Sequence, residues 1–304
     1  MDTSPLFRHI MAGIDTDGLA IPAVLQAVDL AKAFDAKLDL VHALDIPAAL
    51  WPGVGGAEIA DMHANSLDHA RAKATSALTP ALRAAHPEIL ADDITSVYPG
   101  QVGRVLLQQM DELNADLLVL GTHAKRSPFD IGSTARNVFS RSKIPVWIQP
   151  SPVTPIKRIL VPVDFSEHSQ SAMEHAHALA VQFGASVQLL HCYEAPSFAY
   201  AEPSSPMPYP SYAIDHQRDA ARGSLETCEA EFPWGSVPHT STFQEAAPAD
   251  ATLKAGEQAD LIVMGTHGRT GLSRFLTGSV AHAIIKRSKM PVLLVPKPSG
   301  TFVL

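Results

Sequence analysis

Basic residues, cysteines and long apolar runs are all scarce in this chain. Lysine and arginine total 23 against 31 aspartates and glutamates, a formal net charge of -8, so no general electrostatic attraction draws the protein to nucleic acid or to an anionic membrane. The only cysteines are Cys192 and Cys228, and they are not spaced as CxxC. That excludes a disulfide framework and fits a reducing compartment. No apolar run approaches the ~18 residues of a membrane span, and the opening residues show no basic segment followed by an apolar one, so a cytoplasmic protein without a membrane role is expected. A GxxxxGK(S/T) loop is missing, and the cluster Gly53-Val-Gly-Gly56 has neither a strand directly before it nor the third glycine of GxGxxG. The 14 histidines are scattered, and the close pair His175 and His177 points to different faces of a helical segment, so no metal site is expected.

What the chain does have is a duplicated pattern. At 304 residues, with 46% hydrophobic and 18% charged, its length suits about two domains of ~150 residues. The segment 8–15, ending on Asp15, matches 158–164, ending on Asp164; Leu38-Asp-Leu-Val-His42 matches Val187-Gln-Leu-Leu-His191; Arg141-Ser-Lys-Ile-Pro-Val146 matches Arg287-Ser-Lys-Met-Pro-Val292. Within each copy, short apolar runs alternate with longer stretches of helical periodicity, as in a parallel sheet with crossover helices. Strands are predicted at 10–14, 38–43, 94–98, 117–120 and 146–148, and again at 159–163, 187–192, 240–243, 261–264 and 292–295. The fold class is α/β: two tandem, doubly wound, Rossmann-like domains, residues 1–152 and 153–304, divided by prolines between Pro150 and Pro155. Segments 46–58 and 195–212, rich in Pro, Gly or Ser, read as loops that are either tolerated insertions or lids and partner surfaces.

The richest stretch is 259–279. The apolar run Leu261-Ile-Val-Met264 opens into Gly265-Thr-His-Gly268, nine further residues and Gly278-Ser279. A strand feeding a glycine loop and then a helix start is suited to an anion, because glycine lets backbone approach closely and the first amides of a helix are unpaired. The first copy is altered: Ala124 stands in place of Gly268, and seven residues containing Pro128 separate it from Gly132-Ser133.

On these residues the chain resembles a tandem universal stress protein of the ATP-binding type. Gly265, Gly268, Gly278 and Ser279 satisfy that family's spacing of Gly, two residues, Gly, nine residues, Gly and Ser or Thr, and Val161-Pro-Val-Asp164-Phe-Ser-Glu167 resembles its first-strand motif. The resemblance covers nearly the whole chain and implies bound ATP, AMP or ADP with Mg²⁺. It implies that Gly265, Gly268 and the amides of Gly278, Ser279 and Val280 hold phosphates, with the Ser279 hydroxyl donating as well. Asp164 would face the ribose, Pro162 and Val163 the base, and Cys192 would meet adenine through its backbone. Thr266, His267 and Arg269 belong to the same loop, where His267 and Arg269 either touch phosphate or are simply solvated. Simpler roles stay open: Asp164 or Ser166 as a helix cap, Gly265 and Gly278 as turn residues, His42 and His191 as structural groups.

The leading reading is a cytoplasmic, ATP-binding stress-response protein that acts by regulation. No nucleophile or base is positioned beside the phosphates by any motif, so catalysis would be at most slow ATP hydrolysis. A weak hydrolase or phosphotransferase of the same fold, and a nucleotide-free interaction scaffold, are the alternatives. The intact loop assigns tighter binding to the second copy. Adenine nucleotide is the expected partner, with protein partners unnamed. The final strands of the two copies are expected to form an internal pseudo-dimer, with a homodimer also open.

Overall fold

Apolar runs such as Arg158-Ile-Leu-Val-Pro162 and Leu261-Ile-Val-Met-Gly265 lack a polar alternate face, which is what a strand covered on both sides by helices requires. The computed structural model describes residues 5–45, 56–122, 138–139, 141–150, 152–194, 211–267 and 278–297. The chain forms two units, Met1–Val153 and Thr154–Leu304.

In the first unit the elements run β1 (His9–Gly13), α1 (Ile21–Phe34), β2 (Lys37–Leu44), α2 (Gly56–Ala85), α3 (Ala91–Ile94), β3 (Thr95–Pro99), α4 (Val102–Glu112), β4 (Leu117–Gly121) and β5 (Val146–Gln149). The sheet is parallel with strand order β3-β2-β1-β4-β5. The second unit repeats it with β6 (Arg158–Pro162), α5 (Glu167–Phe183), β7 (Ser186–Tyr193), α6 (Ser211–Glu231), β8 (His239–Glu245), α7 (Pro248–Gly256), β9 (Leu261–Gly265), α8 (Ser279–Arg287) and β10 (Val292–Val295). Its order is β8-β7-β6-β9-β10, again parallel. Every predicted strand is present. Two loop expectations need correcting at their ends: Gly56 to Glu58 already belong to α2, and Ser211 and Tyr212 to α6. Composition marked these residues as loop, yet a helix start tolerates Gly and Ser well. Residues 46–55 and 195–210, the remainder of both segments, lie outside the described residues.

Each sheet is fastened at its amino edge by a repeated aspartate. Asp116, just before β4, accepts the Arg8 and His9 amides at 2.8 and 3.1 Å. Asp260, just before β9, accepts those of Lys157 and Arg158 at 2.9 and 2.8 Å. At the carboxyl edge a repeated histidine does the same service: His42 Nδ1 lies 2.9 Å from Ile14 O and His191 Nδ1 2.7 Å from Val163 O. A carbonyl only accepts, so each imidazole carries its proton on Nδ1. The structural reading of both histidines matches this geometry.

The second unit's core centres on Leu160, Val161, Leu189, Ile262, Val263, Leu293 and Leu294, all at most 1% exposed or fully buried. Leu160→Ala removes a buried isobutyl group from the strand between β7 and β9. The expected loss is about 2–5 kcal/mol, read as a lower urea midpoint for the second unit's unfolding transition, and a loss under about 1 kcal/mol would contradict this packing.

Candidate functional site

In a parallel sheet whose order reverses, the connections leave neighbouring strands in opposite directions and open a crevice at their carboxyl ends. In the second unit the reversal falls between β6 and β9, and a cavity of about 280 Å³ lies there. It is lined from β6 and its turn by Pro162, Val163 and Asp164, from β7 by Leu190, His191 and Cys192, from α7 by Pro248 and Thr252, and from β9 onward by Met264, Gly265, Thr266 and His267. The start of α8 closes it with Gly278, Ser279, Val280 and Ala281. Of the residues singled out in the sequence, Pro162, Val163, Asp164, Cys192, Gly265, Thr266, His267, Gly278, Ser279 and Val280 meet at this cavity. Gly268 and Arg269 lie outside the described residues, as do Ala124, Pro128, Gly132 and Ser133 of the other copy.

The turn after β6 is tightly specified. Asp164 Oδ1 accepts from the Ser166 amide at 3.1 Å and from its hydroxyl at 2.6 Å. Phe165 between them takes a left-handed conformation with φ 63°, unusual for a bulky residue. Its ring lies 4.4 Å from that of His191. Ser166 then caps α5 by accepting the Ser169 amide at 3.3 Å. Of the two candidate caps, the structure selects Ser166, leaving Asp164 as the residue that shapes the turn and borders the cavity.

Gly265 has a packing reason to be glycine. A Cβ there would stand 2.6 Å from His168 Cβ and 3.0 Å from the His168 carbonyl carbon, so the first turn of α5 rests directly on the end of β9. The loop that follows is closed at its base, because the Gly278 amide donates to Thr266 O at 2.9 Å while the Thr266 amide donates to Val295 O at 3.0 Å. The Gly278 amide, expected among the phosphate donors, is therefore committed to the backbone. The anion donors reduce to the opening amides of α8, those of Ser279, Val280 and Ala281, which have no acceptor within the helix. Gly278 is the N-cap of α8 and supplies no side-chain cap, and Ser279 itself is exposed.

The lining suits a flat apolar group with a polar, anionic tail. Pro162, Val163, Leu190 and Met264 form an apolar wall, and at about 280 Å³ the space lies near the lower end of the ~300–1,000 Å³ usual for small-molecule sites. Burial pushes the Cys192 thiol up to about 11, so it stays protonated at neutral pH and serves as lining. Thr252 and His168 were not picked out by motif: Thr252 is fully buried with its hydroxyl on Pro248 O at 2.7 Å, and His168 stands 5.4 Å, ring to ring, from His267. Position within a helix pattern gives no sign that Thr252 lines the crevice or that His168 meets His267. Among the described residues no cluster of three or more His, Cys, Asp or Glu side chains could hold a metal ion.

The first unit differs at the same place. Gly13 occupies the position of Pro162, and a Cβ there would meet Leu120 Cδ2 at 2.7 Å and Leu106 Cδ2 at 3.4 Å. Leu106 and Leu120 thus pack where the second unit has Thr252 and Met264 along its cavity. Asp15 Oδ1 accepts the Asp17 and Leu19 amides at 3.2 and 3.1 Å. Its Oδ2 is buried without a hydrogen-bond partner among the described residues. Burial, followed by Asp17, raises the Asp15 pKa.

The universal stress protein family model matches residues 6–150 and 155–296, and the chain belongs to that family as a tandem member. A universal stress protein of Methanocaldococcus jannaschii is 35% identical over 144 residues, 47% of this chain and 83% of that one. One from Mycolicibacterium smegmatis is 24% identical over 296 residues, 94% of this chain and 96% of its own length. The crystal structure of a universal stress protein from Archaeoglobus fulgidus superposes with a TM-score of 0.64 at 17% identity, covering 95% of this chain and 98% of that chain, and shows the shared fold.

Two expectations follow. Gly265→Ala forces α5 away from β9 and destabilises the second unit by about 1–3 kcal/mol, whereas Gly121→Ala, whose Cβ would lie 3.4 Å from Ala20 Cα, costs less; equal thermal shifts for the two variants would contradict the packing described. With its thiol at about 11, Cys192 alkylates slowly at neutral pH and about tenfold faster per pH unit up to pH ~10, measurable by mass spectrometry of the peptide that carries it.

Proposed function

We propose that the protein is an adenine-nucleotide-binding regulatory protein, with its principal site in the second unit. The observation that carries this reading is the convergence at one switch-point cavity of an apolar wall, the Asp164 turn and the opening amides of α8. Val163 and Leu190 would hold the base, Asp164 the ribose hydroxyls, and the Ser279, Val280 and Ala281 amides with the Ser279 hydroxyl the phosphates. Mg²⁺ would accompany the nucleotide and neutralise part of the phosphate charge. The role is binding, with nucleotide occupancy altering the surface offered to protein partners. A cytoplasmic site of action accompanies this reading, in keeping with the absence among the described residues of any helix long and apolar enough to cross a membrane.

The first unit binds nucleotide weakly or not at all in this scheme. Leu106 and Leu120 close on Gly13, and its glycine loop is two residues shorter with Ala124 in place of the second glycine.

Isothermal titration with MgATP should give about one site per chain. At 100 times its dissociation constant the nucleotide should stabilise the folded state by ~2.7 kcal/mol, seen as a raised melting temperature of the second unit. Asp164→Ala and Ser279→Ala should each weaken binding about tenfold or more, equivalent to ~1.4 kcal/mol. No heat and no thermal shift would reject the proposal, and two equal sites would reject the asymmetry.

A further inference from the structure

Beside the second unit's cavity two imidazoles approach each other, one of them from its lining. His267 follows β9 directly and lines the space, and His168 in the first turn of α5 is held against the end of β9 by the close approach at Gly265. Their ring centroids are 5.4 Å apart with planes inclined at 48°, and the His267 Nδ1 lies 3.1 Å from Thr266 Oγ1. The sequence left His267 between phosphate contact and solvation, and it marked His168 for no role.

Charges of both signs surround the pair. Asp164 from the β6–α5 turn and Glu167 beside it on α5 favour protonation of His168, while His267 after β9 and Lys297 after β10 oppose it. Glu167 is itself paired with Lys297 at 2.6 Å. Burial is the largest influence on His168 and leaves it below the ordinary histidine range. Two positive charges this close repel, which is how His267 acts on His168. Phosphates bound at the start of α8 oppose that repulsion, because they bring several negative charges to the same cavity.

We infer that His168 and His267 form a proton-accepting pair at the phosphate end of the cavity, so that an adenine nucleotide binds together with about one proton shared by the two rings. The inference rests on the nucleotide-site reading. Its sign follows from linkage: the bound phosphates raise the pair's proton affinity, so the extra affinity is fully present below the titration range of the free pair. It is lost as pH rises through the range of the bound pair. Nucleotide affinity therefore falls with rising pH near the histidine range, by up to about tenfold per unit for one linked proton.

The test is calorimetry of the full chain with MgATP at about pH 6.5 in buffers of different ionisation enthalpy, which counts protons taken up. The wild type should take up more than His168→Asn or His267→Asn, and the double variant should retain only the count due to the ligand's own phosphate. The same count in wild type and double variant would overturn the inference. Because a variant can fail to fold, the wild-type imidazole resonances are titrated with and without MgATP: midpoints of His168 and His267 that rise by about half a unit or more support the pair, and unmoved midpoints overturn it. Binding without linked protons rejects this inference alone. An absence of binding heat and thermal stabilisation at every pH from about 5.5 to 8 rejects the nucleotide reading, and the inference with it.

Discussion

The contact between the end of β9 and the first turn of α5 governs the geometry of the second unit's crevice. With no Cβ at Gly265, the His168 backbone comes close enough that any side chain there would have to displace main-chain atoms. That approach carries the Asp164 turn to one side of the crevice and leaves Thr266 to start the loop on the other. The strained Phe165 conformation is tolerated because Asp164, Ser166 and the His191 ring hold the turn from three directions.

Around this contact the two units share a frame and differ in its contents. The aspartates before β4 and β9 and the histidines at the ends of β2 and β7 are retained with their hydrogen bonds. They satisfy backbone amides and carbonyls at the strand ends, and neither requires a ligand. What differs is the filling of the space above the strand ends. Leu106 and Leu120 pack against Gly13 in the first unit, and Thr252 and Met264 line a cavity with Pro162 in the second. The Asp15 Oδ1 bonds to the Asp17 and Leu19 amides keep a polar turn in the first unit as well.

The strands were legible because a strand buried on both faces writes itself as an uninterrupted apolar run, and duplication let each copy check the other. The candidate site was legible where a residue type answers a local backbone demand, as at Gly265, where no Cβ fits, and at Asp164, which shapes the turn after β6. Other features depend on what lies across space. The Gly278 amide turns out to be engaged with Thr266, and Leu106 and Leu120 fill a space whose existence only the folded unit reveals. His168 gave no signal because helical position alone says nothing of the ring it will face. The starts of α2 and α6 were hidden by residues that serve helix termini and loops equally well.

The backbone bond from Gly278 to Thr266 has an evolutionary consequence. A segment whose two ends are pinned together presents the same junction to the sheet whatever its length, and the entropy of closing it grows only slowly as residues are added. In this segment the two copies already differ in length, with nine residues between Gly268 and Gly278 and seven between Ala124 and Gly132. A duplicated domain built this way can vary ligand preference in one copy while the scaffold of both is conserved.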